Sequence, residues 1–359
     1  MPLLSAIAGL VLAVSSLLRP DVPSSLPRDG YHEAMIGAKL AGRNVRAAQQ
    51  WLQGRADVDS VQIGRDGRTI DIHFRDGRQI AILPAASRLT QMATTVLESR
   101  PTVRDMARAA GIGTGTAVVL EPFATDAVSQ PLVDTLQGAG FAVTQLSGSQ
   151  VTIPVMEGLA QYNLVYFETH SGTLPDGDVI LETGETNATP YASFIADHSM
   201  IQAVIAGDPN SPLYNAITAT FVTKHMGTFH PGSIVFLNGC ESLQSPLLWT
   251  ALQGKQVASL IGWTGQPYVQ DGIRIGTAIL AELAGGQTVA STIQGGVGVS
   301  GSAGSAHLGY EGQGDDTLSD ALNGVSPEQP DPTPTPTAAP PPPGLVRTFC
   351  SNRLWECVD

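Results

Sequence analysis

Apolar positions along this chain shift in period from one stretch to the next. Ala41, Val45, Ala48 and Leu52 recur at helical spacing, and Gly54 is placed to cap that helix. From Val61 the spacing shortens to two: Val61 and Ile63, then Ile70, Ile72 and Phe74, then Ile80 and Ile82. The dipeptides Asp66-Gly67 and Asp76-Gly77 separate these runs, and both favour tight hairpins. The pattern predicts a helix packed on a three-stranded meander, a small α+β domain over residues 30–84. No catalytic constellation falls within it, so a structural, propeptide-like or docking role is expected. Residues 85–115 read as a helical linker.

From Thr116 onward short buried strands alternate with helices. Strands are expected at Thr116–Leu120, Phe141–Thr144, Leu164–Phe167, Ser233–Leu237 and Val257–Ile261. Helices are expected from Leu132 to Gly138, over Ala216–Met226, from Ser245-Pro246 to Gly254, and over Gly272–Leu283. Such alternation implies an α/β domain over residues 116–325, with helices on both faces of a mostly parallel sheet. Sites in such sheets gather at the carboxyl ends of the strands. The stretch Asp178–Glu182, with a turn at Gly184, suggests an extra hairpin. The glycines at 111–115 precede a strand and do not open a helix after one. The run Gly295–Gly304 lacks the Gly-Lys-Ser/Thr ending of a phosphate loop. Neither is a nucleotide site, and the second reads as a surface loop.

Both ends of the chain carry a different signal. Residues 2–18 are uncharged and apolar, with Ala13-Val14-Ser15 as a cleavage candidate, although no Lys or Arg precedes them. Residues 1–25 are therefore expected to form a signal peptide or N-terminal anchor, and any membrane contact would run through them. Residues 326–345 form a proline-rich linker. The tail 346–359 holds Cys350 and Cys357, two of the three cysteines. Pairing these two leaves Cys240 as a free thiol and requires an oxidising compartment, so export is expected.

Charge narrows the partners. Of 19 Lys/Arg and 32 Asp/Glu, residues 1–110 hold 14 and 10, leaving 5 and 22 for the rest. So acidic a second part argues against nucleic acid, whose phosphates need concentrated positive charge. No cofactor is implied. His225 and His230 lack the carboxylate or thiol that would complete a metal-ligand set.

Two segments carry candidate chemistry. Asn163–Phe167 runs through Glu168-Thr169 into His170-Ser171-Gly172, and Ser233–Leu237 runs through Asn238-Gly239 into Cys240-Glu241-Ser242. A thiolate nucleophile needs an imidazole within hydrogen-bond reach, and the same imidazole can then protonate the leaving amine. A lone buried cysteine is more often a small core residue. A cysteine and a histidine both at strand ends of one α/β domain favour the catalytic reading.

These segments resemble the caspase-like cysteine peptidases, a group that includes gingipains, clostripain, separase and the CHAT domains. There one strand ends in His-Gly and a later strand ends in the catalytic cysteine. The likeness spans residues ~116–320 and rests on motif and strand order. Val257–Gly265 looks like the next strand and the start of the substrate loop, and Gly285–Ser291 is similar to the late helix entry of the CHAT-like branch. The resemblance implies a three-layer αβα fold and hydrolysis of a peptide or protein substrate through a thioester. Cys240 would be the nucleophile, His170 the general base, and the N–H groups of Gly172 and Cys240 the oxyanion donors, with His-Ser-Gly here in place of His-Gly. It also implies substrate-pocket positions at Asn238, Glu121 and Trp263. A carboxylate against an apolar wall would favour a basic side chain before the scissile bond. The alternative is a catalytically inactive, exported interaction module of the same fold.

Overall fold

The computed structural model describes residues 28–85, 115–123, 129–208, 210–295, 299–300 and 306–323. The chain divides into two units, Met1–Pro327 and Glu328–Asp359, and every described residue belongs to the first. The expected leader, the proline-rich linker, Cys350 and Cys357 lie outside the described residues, as does most of the expected helical linker.

The described residues open with α1 (Arg28–Ala41) and α2 (Val45–Gln53), so the helical spacing from Ala41 to Leu52 spans a break. Asn44 makes that break: its side chain caps α2 by accepting from the Ala47 N–H at 3.0 Å. Gly54 is the C-cap. The meander follows as β1 (Val58–Ile63), β2 (Ile70–Phe74) and β3 (Gln79–Leu83), turning at Gly67 and Gly77, both with positive φ.

Beyond the meander come β4 (Thr116–Glu121), α3 (Gln130–Gly138), β5 (Ala142–Ser147), α4 (Ile153–Glu157) and β6 (Leu164–Glu168). An inserted stretch supplies β7 (Ser171–Thr173), β8 (Val179–Glu182), α5 (Ala192–Ala196), β9 (Met200–Ile205) and β10 (Tyr214–Ile217). The chain continues through α6 (Ala219–His225), β11 (Ile234–Asn238), α7 (Pro246–Gly254) and β12 (Ser259–Trp263). The last elements among the described residues are α8 (Val269–Ala284), α9 (Val289–Gln294), β13 (Val299–Ser300), β14 (Ala306–Gly312) and α10 (Leu318–Asn323). Among the described residues, no helix is long and apolar enough to cross a membrane.

Among the described residues the architecture is α/β, with two mixed seven-stranded sheets. In the order β13-β14-β12-β11-β6-β4-β5, the five strands from β12 to β5 run parallel, and β14 and β13 add an antiparallel edge. One face of this sheet buries Val119, Tyr166, Phe236 and Ile261 against α3 and α8. The other buries Val118, Val165, Phe167 and Val235 against α4, α6 and α7.

The second sheet runs β1-β2-β3-β9-β10-β8-β7 and is antiparallel except where β3 meets β9, with Ile80 opposite Gln202 and Leu83 opposite Ile205. The meander is thus not a self-contained small domain. Its sheet is completed by strands inserted between His170 and Cys240. Ile70, Ile72 and Ile80 pack under α1 and α2, while Leu83, Ile180 and Ala203 line the opposite face. The expected hairpin exists, but β8 turns back on β7 through residues 174–177 and not at Gly184. The expected helix from Ala216 starts late. Ala216 and Ile217 belong to β10, and Thr218 caps α6 by accepting from the Phe221 N–H.

Candidate functional site

Strands β6 and β11 are neighbours in parallel register, with Glu168 opposite Asn238. Parallel neighbours lie ~4.8 Å apart. His170 and Cys240 each come two residues beyond this last pair, so the backbone delivers both to one place at the carboxyl edge. Both line a cavity of about 840 Å³. His170 is half-buried and Cys240 is 4% exposed. The His170 ring meets Phe123 edge-on at 4.6 Å between centroids, and Phe123 meets Tyr214 likewise at 4.9 Å.

The turn bearing Cys240 is pinned on several sides. Ser171 Oγ donates to the Cys240 carbonyl at 2.6 Å, which ties the residue after His170 to the backbone of Cys240. Gly239 is required there, because a Cβ would stand 2.5 Å from Ser171 Oγ. Glu241 adopts a left-handed φ of 58°, and its N–H donates to the Gly265 carbonyl at 2.9 Å. Ser242 Oγ donates to the Leu237 carbonyl and accepts from the Trp263 N–H, both at 3.0 Å.

Electrostatics work against a preformed thiolate. Burial pushes the Cys240 thiol up to about 12, helped by the Glu241 and Asp66 carboxyls and opposed by the Arg68 guanidinium. Glu241 is itself raised to about 7, first by burial and then by Asp66. Asp66 and Arg68 come from the β1–β2 turn. Asp66 accepts from the Thr69 N–H and from the Thr173 N–H of edge strand β7, while Arg68 bonds the Gln266 side chain. With Ala41, Gly42, Pro84 and Ala85 also lining the cavity, the N-terminal elements form one of its walls. Sequence reasoning assigned no chemistry to them, and a hairpin dipeptide gives no sign of where its turn will dock.

The expected oxyanion donors divide. The Glu182 N–H donates to the His170 carbonyl and the Leu174 N–H to the Asp178 carbonyl. The Gly172–Ile180 pair lies midway between them in the β7–β8 register. Antiparallel ladders alternate, so the Gly172 N–H is bound within the sheet. The Ser171 N–H shares the parity of Thr173, whose N–H leaves the ladder toward Asp66. Ser171, and not Gly172, is therefore the residue beside His170 with an N–H to offer.

The three expected pocket residues are brought into one rank with a fourth. In register across β4, β6, β11 and β12 stand Glu121, Glu168, Asn238 and Trp263, facing the side of α8. Trp263 is fully buried and its Nε1 donates to Asn238 Oδ1 at 2.8 Å, so it supports the pocket from the core and does not wall it. Asn238 lines the cavity, but its amide also donates to the Tyr166 hydroxyl at 3.0 Å. Glu121 is 2% exposed, and its Oε2 accepts from Ser129 Oγ at 2.6 Å and Gln145 Nε2 at 3.0 Å. Those bonds hold it away from the cavity. Glu168 does line the cavity, and burial followed by the Glu121 charge raises it to about 8. Its signal was in the sequence: it stands two before His170, as Asn238 stands two before Cys240.

Among the described residues no group of three or more His, Cys, Asp or Glu could hold a metal ion. His225 ends α6, with Nε2 3.1 Å from Ser199 Oγ, and His230 lies in the loop before β11. Compared with known proteins, the chain matches no protein-family model and no curated sequence.

Proposed function

We propose that the protein is a cysteine peptidase of caspase-like type, hydrolysing peptide bonds with Cys240 and His170. The observation that carries the reading is the placement of these two side chains on one cavity, each two residues past a registered pair of parallel strands. The strand-His-Ser-Gly and strand-Asn-Gly-Cys motifs supply the likeness to the caspase-like group.

In this mechanism the substrate carbonyl enters between Cys240 and the outer edge of β7. His170 takes the thiol proton as Cys240 Sγ attacks the carbonyl carbon. The carbonyl oxygen becomes an oxyanion that the N–H groups of Ser171 and Cys240 can stabilise. Collapse breaks the C–N bond, the amine leaves with the proton from His170, and a thioester remains. Water, deprotonated by His170, then releases the acid and restores the thiol. Because the resting thiol holds its proton to about 12, attack and proton transfer must be coupled.

That same burial of Cys240 favours the second reading, an inactive interaction module. Hydrolysis decides between them. Cys240→Ala and His170→Ala should each lower turnover of a fluorogenic peptide library by a thousandfold or more, a loss typical of such machinery. Either variant cleaving like the unmodified protein removes the mechanism. An unmodified protein that cleaves nothing supports the module.

A further inference from the structure

The cavity contains a buried carboxyl that the mechanism does not use. Glu168 sits in the middle of the polar rank, between Glu121 and Asn238. Its neighbours in that rank are engaged: Glu121 by Ser129 and Gln145, Asn238 by Tyr166 and Trp263. Glu121 Oε1 and Glu168 Oε2 are both buried without a hydrogen-bond partner, but of the two carboxyls only Glu168 lines the cavity, where a guest could reach it. Such a group is costly to keep, since burial removes water and here nothing replaces it. No ion pair to it is found among the described residues. Among the described residues lining the cavity, Arg68 is the one that carries a guanidinium, and it is bonded to Gln266.

The surroundings of Glu168 fit one kind of guest. Phe123, Tyr214 and Tyr268 also line the cavity, so a flexible aliphatic stem would lie against rings before its polar end meets the carboxyl. A cationic end group would supply the missing donors and offset the repulsion between Glu168 and Glu121. An anionic end group would meet the Glu168 carboxyl, and a neutral apolar one would leave Oε2 unpaired. From the rank geometry, the cavity and the unpartnered oxygen, we infer that Glu168 is the specificity residue of this site. It receives the lysine or arginine side chain beside the bond to be cleaved. The inference rests on the peptidase reading, but the recognition step can be tested apart from catalysis.

Two further consequences follow from the chemistry of Glu168. Its proton affinity, with a midpoint at about 8, keeps it mostly protonated at pH 7 in the empty site. Entry of a guanidinium would ionise it and release close to one proton. The pairing would be charge-assisted and, for arginine, able to use two parallel N–H donors.

The test uses the full chain carrying Cys240→Ala and two peptides differing only in arginine or its neutral isostere citrulline. Calorimetry at pH 7 should show the arginine peptide bound at least about tenfold more tightly. Repeated in buffers of different ionisation enthalpy, it should show about one proton released with arginine and none with citrulline. Adding Glu168→Gln should bring the two affinities within about twofold. Equal affinities before that change, or a preference that survives it, would overturn the assignment, and the proton count decides even if the second variant fails to fold. Turnover of the same peptides by the unmodified protein separates the two layers. Arginine-selective binding without cleavage retires the peptidase and keeps the pocket. Equal cleavage of both peptides retires the pocket and keeps the peptidase.

Discussion

At Cys240 burial and neighbouring charge both hold the proton on sulfur, and one guanidinium opposes them. Thiolate is the reactive form, so alkylation by iodoacetamide should be slow at pH 7.5 relative to an exposed cysteine. Its rate should climb by about tenfold for each pH unit up to pH 9.5, without a plateau, as expected for a thiol far from its midpoint. A plateau below pH 8 would show a preformed thiolate–imidazolium pair and contradict the coupled mechanism. Glu241→Gln removes a like charge one residue away and should raise the rate at pH 7.5 several-fold. The same scale shows what could be read in advance. His170 and Cys240 were legible because each ends an apolar strand in a polar turn, a local pattern. The choice between Ser171 and Gly172 as donor was not, because it depends on which parity of β7 pairs with β8.

Between elements, the decisive contact joins the β1–β2 turn to β7. A Cβ at Gly64 would stand 1.8 Å from the Thr173 carbonyl oxygen, and one at Gly172 would stand 2.1 Å from Thr69 Oγ1. Backbone meets backbone at the first position, so no rotamer relieves it. Gly64→Ala should therefore cost on the order of 2–3 kcal/mol in urea unfolding, the scale of an overpacked contact. It should also lower hydrolysis, because the turn brings Asp66 and Arg68 to Glu241 and the cavity wall. Unchanged stability and activity would show that this docking is dispensable. The meander itself was legible from its period-two runs and hairpin dipeptides. Its partners were not. β8 is buried at every position and shows no alternation, and β10 is a four-residue strand that leads almost directly into a helix. The β3–β9 pairing joins segments far apart in sequence, and nothing local records it.

For the molecule as a whole, buried carboxyls set the pH dependence of stability. Glu168 is raised to about 8, Glu241 to about 7, and Asp178 and Asp316 to about 6, with burial the largest cause each time. Each folded-state midpoint lies above the unfolded value, so the folded form binds more protons. Their contribution is complete below about pH 4 and is lost as pH rises toward 8. Asp76 and Asp197 are lowered and act oppositely, losing their contribution in acid. Stability should peak near pH 5–6, and the melting temperature should fall by roughly 5 °C or more by pH 8.5. Glu168→Gln should flatten part of that fall, worth on the order of 2–3 kcal/mol at about 1.4 kcal/mol per tenfold change in proton affinity. A melting temperature that rises from pH 5.5 to 8.5 would show that these groups ionise freely in the folded state. The account depends most on a nucleophile that needs its histidine, and intact mass spectrometry with a peptidyl-arginine acyloxymethyl ketone tests that directly. One adduct on Cys240 in the unmodified protein, absent from His170→Ala at pH 7.5, is the predicted result. No adduct on the folded unmodified protein, or an adduct formed equally fast without His170, would contradict it.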